Sequence, residues 1–203
     1  MPSMGSTEGA PSIAQSYRAM GGIPSVPMCY RNLLIRPAQP DDALALARVH
    51  VRSWQAAYRS LLPDEYLDQL HPEDRAARCD FSHADPQKPY TQVAESEGAI
   101  VGFATTSPAR DADCAGLGEL LALYVAPENW GQAIGRQLAA AARQRLIAQG
   151  FTEAVLWMLQ GNARADRFYR NDGWLPDGSH KQDTIWGIIL PEIRYRRAPT
   201  PGT

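Results

Sequence analysis

Residues 154–174 read Ala-Val-Leu-Trp-Met-Leu-Gln-Gly-Asn-Ala-Arg-Ala-Asp-Arg-Phe-Tyr-Arg-Asn-Asp-Gly-Trp. Ala154 to Leu159 is a run of six apolar residues without a polar break, the mark of a strand covered on both faces and so central in a sheet. Asn162 then caps a helix expected to run to about Asn171 and to close at Gly173. On that helix Ala165, Phe168 and Tyr169 share a face, with a small residue one turn below two aromatics. Something flat or narrow can lie there. Phe168 reads as core, whereas the hydroxyl of Tyr169 needs a partner if buried and can meet a ligand.

Working backwards, Leu117 to Val125 is a strand of apolar and aromatic residues that ends at Pro127 and contains one conspicuous acid, Glu119. Ile134, Leu138, Ala141, Ala142 and Leu146 trace the stripe of a following helix, stopped at Gln149-Gly150. The junction between them reads Val125-Ala-Pro-Glu-Asn-Trp130-Gly131-Gln132-Ala133-Ile134-Gly135-Arg136. Its small residues and a helix start with unpaired N–H groups suit a pyrophosphate. The same residues also serve simple turn closure or helix packing. The glycine spacings of dinucleotide folds and P-loops are missing, so neither NAD nor ATP is favoured.

Towards the N-terminus, Leu33 to Arg36 is a short strand stopped by Pro37, and Pro40-Asp41-Asp42 opens a helix with acid at its positive end. Ala43, Ala47, Val51, Trp54 and Tyr58 give that helix one apolar face up to the Leu61-Leu62-Pro63 break. Short helices are expected over Asp64 to Leu70 and after Pro72. Thr91 to Ala94 and Ala99 to Thr106 form a hairpin through Glu97-Gly98. Ser179 to Trp186 and Ile193 to Arg197 supply the last strands, the basic cluster Arg194 to Arg197 reading as an edge protected by charge. The order predicts an α/β fold, a mixed sheet of about seven strands with helices on both faces.

The 203 residues have room for one α/β domain, expected over 32–197, between a Gly/Ser/Pro-rich flexible arm over 1–31 and a tail over 198–203. A net charge of −2 spreads no basic field of the kind nucleic acid requires, so no nucleic acid is expected as partner. Neither a bilayer-spanning run nor a signal peptide is apparent, so a cytoplasmic protein without membrane contact is expected. Cys29, Cys79 and Cys114 lie far apart, and no two of His50, His71, His83 and His180 have helical ligand spacing. Neither a disulfide framework nor a metal is expected.

Together the junction at 125–136 and Asn162-x-x-Ala165-x-x-Phe168-Tyr169-x-x-x-Gly173-Trp174 resemble the GNAT superfamily of acyl-CoA-dependent N-acetyltransferases. Its pattern is a strand, R/Q-x-x-G-x-G/A, a helix, a strand, then N-x-x-A-x-x-F-Y-x-x-x-G-F. The second motif matches at every defined position, with Trp174 for the usual Phe. The first departs twice, with Trp130 where Arg or Gln is usual and Ala133 where the first Gly is usual. The resemblance implies a gap between the fourth and fifth strands that takes pantetheine like an extra strand. By position, Leu123, Tyr124 and Val125 would pair with it, Trp130, Gly131, Gln132, Ala133, Ile134, Gly135 and Arg136 would lie along the pyrophosphate, Asn162 would contact the cofactor, and Tyr169 would stand by the sulfur.

The implied reaction is transfer of an acetyl group from acetyl-CoA to an amine of a small molecule or peptide. Glu119 would be the general base, or else a strand-end glutamate paired with an arginine. Tyr169 would protonate the leaving thiolate, and N–H groups at a bulge in the fourth strand would stabilise the oxyanion. Val51 to Asp64 looks like a bacterial subgroup with a W-x-x-A-Y helix, in which Trp54 and Tyr58 line the acceptor pocket or belong to the core. The last strands could pair across a homodimer. The reading from another class is a non-catalytic acyl-CoA-binding module.

Overall fold

The computed structural model of the protein describes residues 33–81, 85–185 and 188–198. The expected arm over 1–31, the tail beyond Ala198, Cys29, His83 and the end of the predicted strand at Trp186 lie outside them.

Seven strands form one mixed sheet in the order β1-β2-β3-β4-β5-β7-β6. They are β1 (Leu33–Pro37), β2 (Tyr90–Ser96), β3 (Ala99–Pro108), β4 (Gly118–Val125), β5 (Ala154–Leu159), β6 (Leu175–Ile185) and β7 (Ile188–Arg197). The helices are α1 (Ala43–Ala57), α2 (Asp64–Asp68), α3 (Pro72–Ala76), α4 (Ile134–Ala148) and α5 (Ala163–Asn171). The β2–β3 hairpin turns through Glu97 and Gly98, both at positive φ (52° and 79°), which is the conformation a two-residue hairpin demands.

Alternation along the strands sends side chains into two layers. Ala104 of β3, Leu120 and Val125 of β4 and Leu156 of β5 pack against Leu138, Ala142 and Leu146 of α4. Phe103 of β3 and Val93 of β2 instead meet Leu46 and Val49 of α1. Leu159 joins Trp54, Leu62 and Leu67 in a third cluster under α1 and α2. Both faces of β5 are therefore covered, which is why its sequence carries no polar residue. Gly102 lets α4 approach β3, because a Cβ there would stand 2.9 Å from Leu138.

The basic cluster is not an edge. β7 lies between β5 and β6, and β6 takes the edge. Arg194 is buried, with Nη1 2.7 Å from Asp113 and Nε 2.7 Å from Asp177. Arg196 pairs with Glu153 and Arg197 with Asp172. Both last strands start earlier than expected, β6 at Leu175 and β7 at Ile188, because their backbones pair with each other over that added length. Among the described residues no helix is long and apolar enough to cross a membrane.

Candidate active site

β4 and β5 start as neighbours and then part. They pair in parallel only at Gly118↔Ala154 and Glu119↔Val155. Beyond that β4 stays with β3 through Val125, and β5 stays with β7 through Leu159. A bulge helps to turn β4 aside: Thr106 pairs with Leu120 and Thr105 with Ala122, so Leu121 has no partner of its own. The gap opens into a cavity of about 500 Å³, within the size range of small-molecule sites. Leu123, Tyr124 and Val125 line one side, Trp157, Met158 and Leu159 the other, and the loop from Trp130 to Arg136 closes the end with Asn162 and Tyr169.

α4 begins at Ile134, so Gly131, Gln132 and Ala133 are a loop ahead of it. Gly131 has φ +79°, and nothing lies within 4 Å of where a Cβ would be. Ala133 has φ +62°, a left-handed conformation that a Cβ penalises. Gly135 does a different job: a Cβ there would come 3.3 Å from Phe168, so its smallness lets α4 pack against α5. Phe168 correspondingly is not core but a half-buried wall of the cavity.

Trp130 replaces a cation with an indole. Its Nε1–H donates to the Val125 carbonyl (2.7 Å), which also accepts from Ser53 Oγ (3.0 Å). Of the three β4 residues expected to pair with pantetheine, Val125 thus has its carbonyl already engaged. The missing charge returns from α5: the Arg164 guanidinium lies 3.3 Å from the Trp130 ring centre and borders the same cavity. The sequence showed Arg164 only as an unmarked position inside the second motif. Asn162 Oδ1 accepts from the Ala165 N–H (3.0 Å), so it caps α5 as well as facing the cavity.

Tyr169 is packed by Phe168, Trp174 and Tyr195, with ring centroids 5.3, 6.4 and 6.3 Å away. Burial, reinforced by Tyr124 and Asp172, pushes its phenol well above the usual tyrosine value, and no described residue hydrogen-bonds its hydroxyl. Trp54 and Tyr58 both pack in the third cluster and both border the cavity. Trp54 is 4% exposed and belongs to the third cluster, yet its Nε1–H donates to the Tyr124 hydroxyl (3.0 Å) and its ring borders the cavity beside Tyr58.

Glu119 takes the arginine-paired alternative. Only 2% exposed, it accepts from Arg110 Nη2 (3.0 Å), Nε (3.2 Å) and backbone N–H (3.2 Å). Glu192 of β7 was not singled out in the sequence, where it lies just ahead of the strand expected from Ile193. It borders both the gap and a second cavity of about 450 Å³ on the α1 face. Burial raises its pKa above the ordinary carboxylate value, against the opposing pull of Lys181 3.8 Å away.

The profile of the Acetyltransferase (GNAT) family matches residues 53–174, from within α1 to the end of the Tyr169 motif. The chain belongs to this family. As a GNAT acyltransferase it is 30% identical over 128 residues to an uncharacterised N-acetyltransferase of Bacillus subtilis, covering 63% of this chain and 72% of the relative. It is also 30% identical over 138 residues to the mycothiol acetyltransferase of Frankia casuarinae, spanning 61% of this chain but 38% of that longer protein.

Two solved GNAT folds superpose over most of the chain. A GCN5-related N-acetyltransferase of Rhodopseudomonas palustris gives a TM-score of 0.65 at 21% identity, covering 84% of this chain and 98% of its own. An acetyltransferase of Salmonella typhimurium, solved with its cofactor acetyl-CoA, gives 0.62 at 18% identity, covering 85% and 96%.

Proposed function

We propose that this GNAT acyltransferase transfers an acetyl group from acetyl-CoA to a primary amine of a small molecule or peptide, by direct attack with both substrates bound. The parting of β4 from β5 after Glu119 and Val155 carries the reading. It leaves strand edges facing a gap with a loop of open, positive-φ backbone at its end, the shape and chemistry that a pantetheine arm and pyrophosphate require. The acetyl-CoA held by the Salmonella typhimurium relative supports the same assignment.

Acetyl-CoA supplies an activated thioester; the protein's part is placement and proton transfer. Leu123 and Tyr124 offer backbone groups to the arm, while the Gly131 to Gly135 backbone, Arg136 and Arg164 face the phosphates. The bulge at Leu121 presents N–H groups to the carbonyl oxygen on which charge develops.

An alkylamine of pKa near 10.4 is neutral in only about one molecule in a thousand at pH 7.4, so a base must take its proton. Both carboxylate oxygens of Glu119 are engaged by Arg110. Glu192 has the raised pKa and the view of both cavities, and receives the amine's proton directly or through water. Tyr169, kept protonated by burial, gives its phenolic proton to the departing thiolate as the C–S bond breaks.

Calorimetry with CoA, followed by free-thiol release from acetyl-CoA on adding a panel of amines, tests the reading. Expected are CoA uptake and amine-dependent thiol release; CoA uptake with no release from any amine would leave only an acyl-CoA-binding module.

A further inference from the structure

The second cavity meets the first along Trp54, Tyr124, Trp157 and Glu192, and its walls carry opposite charges. Glu119, Asp183 and Glu192 come from the sheet, Glu119 already paired with Arg110, and Arg75, Arg78 and Lys88 come with Asp80 from α3 and the segments after it.

The four cations are not equivalent: Arg110 is already paired with Glu119. Lys88 is exposed and 3.3 Å from Asp80, and Arg78 is exposed at the rim. Arg75 is half-buried, and among the described residues no carboxylate lies within ion-pair distance of it. Its Nε–H instead donates to His50 Nδ1 (2.8 Å). His50 is 5% exposed, between Trp54, Phe103 and Tyr124. Burial and the neighbouring Arg75 charge hold its pKa well below the usual histidine value, so the imidazole accepts the bond as a neutral ring. It fixes the guanidinium without cancelling its charge. An anion arriving in the cavity would gain a charge-assisted hydrogen bond from a guanidinium already held in place.

We infer that the amine acceptor also carries a carboxylate, bound with that carboxylate on Arg75 and its amine towards Glu192, an inference resting on the acetyltransferase reading above. A single fixed guanidinium matches a singly charged, planar carboxylate, and a zwitterion complements both walls at once. His50 is a positioning residue here, acting through Arg75.

The test compares amino acids with the amines obtained by removing their carboxylates. Each pair is titrated calorimetrically into the CoA-loaded protein and then assayed for thiol release from acetyl-CoA. The carboxylate-bearing member is expected to be favoured by about tenfold or more in Kd and kcat/KM, the effect of one charged hydrogen-bonded pair. Arg75→Gln brings that ratio close to one, and Arg75→Lys restores part of it. Since the ratio is read within each variant, a general loss of activity does not imitate the effect, and the wild-type ratio stands as a test if Arg75→Gln fails to fold.

CoA uptake without preference for the carboxylate overturns the inference while leaving the acetyltransferase reading in place. So does a preference that survives Arg75→Gln, or a stronger preference for phosphorylated amines. Absence of CoA uptake overturns the reading and the inference with it.

Discussion

Tyr169 and Glu192 are the two residues on whose protonation the proposed chemistry depends, and the structure pushes both pKa values upward by burial. For Tyr169 this keeps the donor form present to high pH. The kcat profile is therefore expected to show no tyrosine-linked decline below about pH 10, the ordinary phenol value. Tyr169→Phe should lower kcat by about a hundredfold, at the lower end of the range for general acid–base catalysis, while the calorimetric Kd for CoA moves little. A kcat near wild type would remove Tyr169 from proton transfer. For Glu192 the raised pKa means that the base form is lost at a higher pH than for a free glutamate. The acidic limb of kcat/KM is expected above about pH 4.3, to vanish in Glu192→Gln and to persist in Glu119→Gln. The opposite pattern would return the base role to Glu119. Only one of these two acids stood out in the sequence. Glu119 is alone in an apolar run, whereas Glu192 acquires its position from the β5–β7 pairing, which brings it opposite Leu159.

Elements that carry periodic patterns or special backbone were legible in the sequence. The unbroken β5 run, the α4 stripe, the Glu97-Gly98 turn and the Asn162 cap each follow from local chemistry, and each was found where expected. The phosphate loop was legible only in part, because its conformation depends on which left-handed positions the chain adopts ahead of α4. Phe168 was misplaced for a related reason: helical spacing gives a shared face, but whether that face meets core or cavity is decided by how far β4 and β5 separate. The loop carries its own prediction. Ala133 at φ +62° bears a strain of about 1 kcal/mol, and glycine there relieves it at the expense of about 0.5 kcal/mol of extra unfolded-state entropy. Ala133→Gly should stabilise the protein by roughly half a kcal/mol in urea unfolding. Arg164→Gln, which removes the cation stacked on Trp130, should weaken CoA binding by about tenfold and flatten its salt dependence. A salt dependence unchanged from wild type would mean that Arg164 only packs against the indole.

At the scale of the whole molecule, His50 links the second cavity to the stability of the fold. It sits where α1 packs on β3 and β4, touching Phe103 and Tyr124, with Arg75 of α3 hydrogen-bonded to its ring. Both causes of its shift, burial first and the Arg75 charge second, oppose protonation in the folded state. The unfolded chain, with a histidine pKa near 6.5, takes up a proton that the folded protein refuses. His50 therefore contributes stability that is present above about pH 6.5 and is lost as pH falls, by up to about 1.4 kcal/mol per pH unit until the folded value is reached. Protonation would also destroy the lone pair that holds Arg75, so α3 and the cavity wall are expected to loosen together with the core beneath α1. Urea unfolding at pH 7.5, 6.5 and 5.5 checks this. The wild type should lose stability mainly between the last two values, and His50→Gln, less stable at pH 7.5, should show a smaller loss over that interval. Equal slopes for the two proteins would mean that folded His50 takes up a proton as readily as the unfolded chain, and that its bond to Arg75 does not hold in solution.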